Sequence, residues 1–480
     1  MATHFPRKVK ILATLGPASA SPEGVRALLA AGADGFRLNA SHLKPGDIAP
    51  LVAMVRAAEA EAGRPVAVLC DLAGPKLRVA KGAPLQRLEA GQRVELSADP
   101  AASAIPIEGF DPRRDSPPPC RILVKDGKVV LRALQLTPAG VVAVVERPGE
   151  VGGGMGVNLP DGDSSLPSLT DHDRACANAA LEAGVDVLAL SFVRRQDDVA
   201  LLRAHLGPHS TRLPIVAKLE KARALEPDTL ASILAASDLV MVARGDLGAE
   251  TAPEKVPVLQ KRVLRSARCQ GVPSITATEM LESMIREERP TRAEASDVAN
   301  AVFDGTDAVL LTAETAVGRH PHLAVAACAS ILREAEAHLD LDASWVCATA
   351  APELRDPVGD AVAMAASRAA DQLEAAVLVC FTQSGRTARL VARHRPRAPI
   401  LALTPDPGVA RALALVWGVL PEITANLPED HEAVVHLAEQ RAIHAGLARA
   451  GDLVVVTHGA PVAARPSTNL LRVHRAGGPE

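Results

Sequence analysis

The 480-residue chain repeats one pattern eight times: a short apolar run rich in β-forming residues, then an Ala-, Leu-, Glu- and Arg-rich segment of helical length. Strands that alternate with helices in this way are typical of parallel α/β architecture. Eight units are the number that closes a (β/α)8 TIM barrel, so we predict that fold class. The runs are residues 9–15, 35–40, 66–72, 185–193, 214–219, 238–242, 273–277 and 308–311.

Two regions depart from this pattern. Residues 76–163 are rich in Pro, Gly and β-formers and contain an Asp126-Gly127 hairpin signal, which predicts a separate small β domain inserted into the barrel. After a loose Pro-containing stretch at 351–359, further strand-like runs predict a C-terminal open α/β domain. We expect these domains and runs: a barrel of 1–75 and 164–345, an inserted β domain of 76–163, a C-terminal domain of 346–480, and C-terminal strands at 376–381, 400–404, 453–456 and 470–473.

Composition excludes several classes of protein. The chain has 52 basic and 56 acidic residues, six Phe, two Trp and no Tyr, so it lacks both the basic excess and the aromatic platforms of nucleic-acid binders. No apolar run reaches the ~20 residues of a membrane span. HExxH, P-loop and Rossmann motifs are absent from the sequence. We therefore expect a cytoplasmic protein with neither a nucleic-acid nor a membrane partner.

Polar residues cluster where the second predicted strand ends. Arg37, Asn39 and Ser41 alternate with apolar residues, which predicts that they share one strand face, and His42 follows them. A half-exposed strand would give the same alternation. Barrel strands are covered on both faces and their carboxyl ends carry the active site, so we interpret these residues as a functional cluster.

A second group closes the later strands. Lys218 and Glu220 are i, i+2 neighbours, and Asp246 follows the next strand within a segment where Gly245 and Gly248 let backbone N–H groups approach an anion. Two carboxylates from adjacent strands suit Mg²⁺, which keeps positions for water and phosphate oxygens. The alternative is a Lys218–Glu220 ion pair without a further role.

Hydroxyl groups give a weaker signal. We expect Thr276 and Thr278 to share one strand face, and Thr312 and Glu314 to share another. Thr is also simply a good strand former, so this pattern alone is weak evidence. A site with Arg37, Arg78 and Lys218 beside a divalent ion favours phosphoryl transfer, where catalysis is mostly positioning and charge neutralisation.

At these residues the chain closely resembles pyruvate kinase, and the similarity extends nearly from end to end. The motifs that carry it are KILATLGPAS at 10–19, RLNASH at 37–42, AKLE at 217–220, MVARGDLG at 241–248, ATEMLESM at 277–284 and RPTRAE at 289–294.

The resemblance implies Mg²⁺-dependent transfer of the phosphoryl group of phosphoenolpyruvate to ADP, giving pyruvate and ATP. It also implies that the inserted domain at 76–163 is a small β-barrel lid, which closes over the site and excludes water. It implies that Glu220 and Asp246 bind Mg²⁺ (or Mn²⁺), that Lys218 and Arg37 neutralise the phosphoryl group, and that Thr278 lies near the protonation path of the enolate. The implied substrate-binding residues are Arg37, Lys218, Gly245, Asp246 and Thr278, and the implied nucleotide-binding residues are Arg37, Asn39, His42 and Arg78.

Family members that need K⁺ carry Glu where this chain has Lys76, and Thr where it has Leu72. An ammonium group can supply the missing positive charge, so we predict K⁺ independence. The implied K⁺ ligands of the family correspond to Asn39, Ser41, Asp71 and Leu72.

Other departures and similarities concern nucleotide and effector binding. Met155 lies where many members have a Lys near the nucleotide, and Ser165 where many have Asp or Asn. A loop after a C-terminal strand resembles the family's sugar-phosphate effector loop; the effector, a sugar phosphate or a nucleotide, stays open, as does the role of the opposing loop at 459–469. The family further suggests a homotetramer. The effector-loop residues are Thr382, Ser384, Gly385, Arg386 and Thr387.

Two other functions are compatible with some of these residues. A barrel lyase acting on pyruvate or oxaloacetate would also use a Glu- and Asp-bound Mg²⁺, but neither the inserted lid nor the third domain fits it. A non-catalytic phosphoenolpyruvate sensor would explain Met155 but not the complete polar set. Because Phe192 is the one aromatic residue expected near the site, we also expect weak adenine recognition and activity with GDP.

Overall fold

A computed structural model describes residues 7–99, 105–125, 127–162, 165–211, 213–339, 356–425, 428, 430–459 and 468–477. All eight predicted runs form strands of one closed parallel barrel, in the order β1-β2-β3-β13-β14-β15-β16-β17, with strands numbered along the chain. The predicted (β/α)8 fold is therefore confirmed. Its strands are β1 (Lys10–Thr14), β2 (Gly35–Asn39), β3 (Ala67–Asp71), β13 (Val187–Leu190), β14 (Ile215–Leu219), β15 (Leu239–Ala243), β16 (Ser274–Ala277) and β17 (Ala308–Leu311).

Helices surround this barrel and cover its outer face. The first one has the predicted ends: the Ser21 side chain accepts a hydrogen bond from Gly24 N, and Gly32 adopts a φ of 115° just past the last turn. The helices of the barrel are α1 (Pro22–Ala31), α2 (Pro45–Ala62), α4 (Asp171–Glu182), α5 (Gln196–Leu206), α6 (Pro227–Ala236), α7 (Arg244–Glu250), α8 (Val256–Cys269), α9 (Arg292–Asp304), α10 (Ala313–Ala316) and α11 (Pro321–Ala337). Among the described residues, no helix is both long and apolar enough to cross a bilayer.

A second, smaller barrel is inserted between β3 and α4. Seven antiparallel and parallel strands close it in the order β10-β6-β7-β4-β12-β8-β9, and β5 pairs with β11 beside it. The predicted hairpin is present, with Val124 opposite Val129, although Asp126 itself lies outside the described residues. The elements are β4 (Leu77–Val79), β5 (Gln86–Leu88), β6 (Arg93–Ser97), β7 (Ile105–Glu108), α3 (Pro112–Asp115), β8 (Arg121–Val124), β9 (Val129–Leu136), β10 (Gly140–Arg147), β11 (Gly149–Val151) and β12 (Gly156–Asn158).

The C-terminal part is an open five-stranded sheet in the order β20-β19-β18-β21-β22. It contains the four predicted strands and one that the sequence analysis missed, β20. The prediction of a loose stretch at 351–359 is wrong for its last three residues, because α12 begins at Pro357. The Asp356 side chain caps this helix and accepts a hydrogen bond from Gly359 N. The elements are α12 (Pro357–Gln372), β18 (Val377–Phe381), α13 (Arg386–Arg393), β19 (Ile400–Thr404), α14 (Pro407–Leu413), β20 (Val419–Ile423), α15 (His431–His444), β21 (Leu453–His458) and β22 (Leu470–Arg475).

The C-terminal part closes the end of the main barrel where the strands begin. Leu415 packs into the interior cluster of the barrel beside Leu12 and Leu69. Next to it, the buried Arg395 guanidinium lies 2.9 Å from the Asp307 carboxylate and 4.7 Å from the centre of the Trp417 ring. The opposite end of the barrel, where the strands finish, faces the second barrel, whose Lys76 and Asn158 contact Asp246 and Glu250 there.

The Arg395–Asp307 pair gives a stability prediction. Arg395→Ala leaves a buried carboxylate without its cation, which costs about 3–5 kcal/mol. We expect a clear fall in the melting temperature, measured by calorimetry, whereas alanine at the exposed Arg397 should change it little. Equal melting temperatures for the two variants would show that this pair does not hold the domains together.

Candidate active site

A buried carboxylate organises the mouth of the main barrel. Asp71, the last residue of β3, accepts a hydrogen bond from Arg37 Nε at 2.8 Å, and its other oxygen lies 3.2 Å from Lys218 Nζ. Burial alone would raise the pKa of Asp71, but the charges of Lys218 and Arg37 outweigh it and hold the pKa of this carboxyl below its usual value. Two cations from different strands are thereby fixed side by side.

The Lys218 ammonium is shared among three oxygen-bearing side chains. Its Nζ donates to Ser191 Oγ at 2.7 Å and lies 3.0 Å from Glu220 Oε1, in addition to its contact with Asp71. Burial acts to lower the pKa of Lys218, but Asp71 and Glu220 together raise it above its ordinary value. The ammonium therefore stays protonated. The ion pair considered as an alternative for Lys218 and Glu220 exists, as one part of a larger cluster.

Glu220 is fully buried, and its two oxygens have different surroundings. Oε2 accepts from Phe192 N at 2.6 Å, whereas Oε1 has no partner in hydrogen-bond geometry despite its short distance to Lys218. Burial raises the pKa of Glu220 even against the Lys218 charge, and nearby Asp246 raises it further. A divalent cation between Glu220 and Asp246 would relieve the repulsion of these two carboxylates.

Asp246 is paired with Lys76, a contact that the sequence analysis did not anticipate. Lys76 Nζ lies 2.8 Å from Asp246 Oδ1 and 5.7 Å from the centre of the Phe192 ring. The side chain fits closely against the second barrel, since a Cβ at Gly156 would lie 2.8 Å from Lys76 Cε. Lys76 therefore places its charge at one of the two candidate metal carboxylates.

The donor set suits Mg²⁺ or Mn²⁺ better than zinc. Within the part of the chain that the structure describes, no group of three His, Cys, Asp or Glu side chains could hold a metal ion. Glu220 and Asp246 supply oxygen ligands alone, and a cation held by two carboxylates keeps its remaining positions for water and phosphate oxygens. The residues present thus fit the predicted cation.

Strained backbone lines the mouth beside α7. Thr278 has a φ of 72°, which a β-branched residue rarely adopts, and its Oγ1 accepts from Gly245 N at 2.8 Å. Arg244 holds this conformation: its Nη2 donates to Thr278 O at 2.6 Å, and its guanidinium pairs with Asp297. The strain keeps the Thr278 hydroxyl at the start of α7, next to Asp246.

Several predicted positions differ in the structure. The shared strand face holds for Arg37 and Asn39 but is wrong for Ser41, because β2 ends at Asn39 and residues Ala40–His42 form a 3₁₀ turn. Ser41 and His42 are exposed there. The strand ends early because Asn39 caps the turn, with its Oδ1 accepting from Ser41 N at 3.2 Å.

The predicted hydroxyl faces are also wrong. β16 ends at Ala277, which packs in the barrel interior, so Thr276 faces outward and donates to Thr306. Glu314 lies in α10 rather than on a strand and accepts hydrogen bonds from Thr312 and Leu281. Neither Thr276 nor Glu314 points its polar atoms at the Lys218 cluster.

Arg78 and Met155 lie on the second barrel, and Ser165 lies in the segment that follows it. Arg78 is exposed on β4 and donates to Gly154 O at 3.1 Å. Met155 is half-buried against the apolar core of this barrel, and Ser165 N donates to Asp115 Oδ1. Met155 therefore has a packing role where the family often has a cation.

Three of the four residues that correspond to the family's K⁺ ligands have oxygens that already interact with donors here. Leu72 O accepts from Ser191 Oγ at 2.7 Å, Asn39 Oδ1 accepts from Ser41, and Asp71 is held by its two cations. Ser191 had no predicted role. The signal that could have found it is its position, one residue past β13, where the other barrel strands also place polar side chains.

The loop for which the sequence suggests an effector site, residues 382–387, follows β18 and leads into α13, which is its predicted position. Gly385 has a φ of 78°, Thr387 Oγ1 lies 2.6 Å from Thr468 Oγ1, and Arg386 lies 3.9 Å from Asp356. Thr382 is buried and Ser384 is exposed. Residues 460–467 of the opposing loop lie outside the described residues.

Comparisons with known proteins agree with this architecture. A family model described as the pyruvate kinase barrel domain matches residues 6–325, and one described as the pyruvate kinase alpha/beta domain matches residues 360–474. Curated relatives named pyruvate kinase include one from Agrobacterium vitis, 41% identical over 98% of this chain and 99% of its own length. Relatives from Corynebacterium efficiens (39%; 98% of each chain) and Mycobacterium tuberculosis (40%; 98% of this chain, 99% of the relative) carry the same name.

The charge on Asp71 gives a pH-dependent prediction. Because the folded state lowers its pKa, the ionised carboxylate adds stability above the ordinary Asp pKa of about 4, and this stability is lost as the pH falls below it. Asp71→Asn should therefore cost about 3–5 kcal/mol at pH 7, and the difference from wild type should shrink towards pH 3.

Melting temperatures of both proteins between pH 3 and pH 8 test this. Asp197→Asn, on an exposed residue in the first turn of α5, is the matched control and should show little difference at any pH. A gap between Asp71→Asn and wild type that does not change with pH would contradict the assignment.

Proposed function

The chain belongs to the pyruvate kinase family, which transfers the phosphoryl group of phosphoenolpyruvate to ADP to give pyruvate and ATP, and we propose that the side chains at its barrel mouth carry that reaction. The observation that supports this assignment best is the Lys218 ammonium, buried between Asp71 and Glu220 beside Arg37. It is a fixed positive charge beside the carboxylate of Glu220, which lies close enough to Asp246 to be affected by its charge.

The side-chain cations of Lys218 and Arg37 stabilise the phosphoryl group during its transfer. A phosphoryl group carries negative charge that must be offset while the bond to the enolate oxygen breaks and the bond to ADP forms. Lys218 and Arg37 are held in position by Asp71 before any substrate arrives, so little reorganisation is needed during the reaction. Ser191 orients Lys218 from the other side.

Glu220 and Asp246 would hold the divalent cation, which when bound supplies positive charge to the phosphate oxygens and to the enolate oxygen. Gly245, Asp246 and Thr278 surround the start of α7, and we assign the substrate carboxylate to this position. The Thr278 hydroxyl is the protein group that we place on the proton path to the enolate carbon, which gains a proton as pyruvate forms.

The nucleotide side of the site is formed by both barrels. Arg37 and Asn39 lie at the mouth, His42 is on the exposed turn after β2, and Arg78 comes from the second barrel. A second barrel that closes over the mouth would exclude water, so that the phosphoryl group reaches ADP rather than solvent. The cytoplasmic location, the homotetramer and the effector at residues 382–387 are likewise proposals.

Removing one carboxylate charge tests the metal assignment. Glu220→Gln should lose Mn²⁺ binding, followed by electron paramagnetic resonance, and should lower kcat at least about a hundredfold, because the substitution removes charge at the transferring group. Glu226→Gln, on an exposed residue nearby, should behave as wild type. Wild-type Mn²⁺ affinity in Glu220→Gln would rule out Glu220 as a ligand.

Lys76 gives the prediction for K⁺. Its ammonium already supplies a positive charge at Asp246, so KCl should raise kcat/KM of the wild-type protein by less than about tenfold, or roughly 1.4 kcal/mol. Lys76→Glu should make activity depend on K⁺, whereas Lys81→Glu, at an exposed site, should not. Strong K⁺ activation of the wild type would contradict this prediction.

A further inference from the structure

The two chain segments that connect the barrels both contact α7, the short helix that carries Asp246. The chain enters the second barrel at β4, just after Lys76, and leaves it after β12, whose last residue is Asn158. These two strands pair with each other, with Leu77 opposite Val157. The base of the second barrel is therefore one unit, with a polar side chain on each connection.

Each of these side chains reaches α7. Lys76 pairs with Asp246, and Asn158 Nδ2 donates to Glu250 Oε1 at 3.0 Å. Asp246 and Glu250 are four residues apart, so they lie one above the other on the same face of the helix. The second barrel thus holds this face of α7 at two successive turns.

Glu250 also connects to the strand that carries the other metal carboxylate. Lys221 Nζ donates to the same Glu250 Oε1 at 2.6 Å, and Lys221 is the residue directly after Glu220. Glu250 is 2% exposed, so its charge is satisfied mainly by these two donors. A single oxygen therefore joins the second barrel, α7 and the segment of Glu220.

A small cavity lies at this junction, lined by residues of both barrels that include Lys76, Asn158, Phe192 and Lys221. Asn158 is 2% exposed, and its Oδ1 is buried without a hydrogen-bond partner among the described residues. Burying the Asn158 amide oxygen without a hydrogen bond costs free energy. The hydrogen bond from the same amide to Glu250 is the contact that offsets this cost.

We propose that Glu250 is a positioning residue that sets the spacing of Glu220 and Asp246 and makes that spacing depend on the position of the second barrel. It touches neither substrate nor cation. Through Lys221 it fixes the segment of Glu220, through α7 it fixes Asp246, and through Asn158 it ties both to the inserted domain. This inference rests on the proposed metal site, so its test must be separable from a failure of that site.

The test measures Mn²⁺ dissociation constants of the substrate-free protein by electron paramagnetic resonance. Glu250→Ala should weaken Mn²⁺ binding about tenfold, the range in which outer-shell partners of metal ligands act. Glu250→Gln keeps an oxygen for both donors and should recover most of this loss. Asn158→Ala should weaken binding by a smaller factor, about threefold, because the Lys221 contact remains. Glu254→Ala, at an exposed residue just past α7, is the control and should bind as wild type.

The position of the second barrel supplies an independent readout. Hydrogen exchange of the β12 amides should speed up in Glu250→Ala and Asn158→Ala but not in Glu254→Ala. Wild-type Mn²⁺ affinity in Glu250→Ala, with only a lower melting temperature, would overturn the proposal and leave a structural role. If Glu250→Ala does not fold, wild-type Mn²⁺ affinity in Asn158→Ala overturns it in the same way. Glu220→Gln separates the two claims: if that variant binds Mn²⁺ normally, the metal site itself is wrong.

Discussion

The Lys218 ammonium, buried among the side chains of Asp71, Glu220 and Ser191, is the interaction on which the rest of the site depends. A cation in an apolar barrel is tolerated only because carboxylates surround it, and those carboxylates are tolerated only because cations hold them. The cluster draws together the ends of β2, β3, β13 and β14. The cluster has a use beyond stability because Glu220, one of its carboxylates, also lies near Asp246.

The fold leaves one end of the barrel for this chemistry. Apolar side chains fill the interior, and Leu415 with neighbouring residues of the C-terminal part closes the end where the strands begin. The other end receives the second barrel, whose two connections reach α7 through Lys76 and Asn158. Apolar packing thus stabilises the end of the main barrel where the strands begin. Polar side chains and strained backbone, such as that of Thr278, lie at the end where the strands finish.

The sequence predicted the architecture well because eight buried strands read as continuous apolar runs. It missed β20, an edge strand in which Pro421 and Glu422 interrupt the apolar pattern, and it read the Pro357 start of α12 as a loop although Pro is well suited to a first helical turn. At the site, the alternation of facing side chains held within the strands but failed just beyond their ends, one residue past β16 at Thr278 and two residues past β2 at Ser41. The Lys76–Asp246 contact joins residues 170 positions apart, and no local pattern could reveal it.

A crystal structure with Mn²⁺ and phosphoenolpyruvate, with data collected at the manganese absorption edge, tests whether Glu220 and Asp246 bind the cation. We expect one anomalous peak bound by Glu220 and Asp246, with Lys76 Nζ displaced from Asp246 Oδ1 and Lys218 facing the phosphate. A peak away from these two carboxylates, or an intact Lys76–Asp246 contact with the cation bound elsewhere, would contradict it.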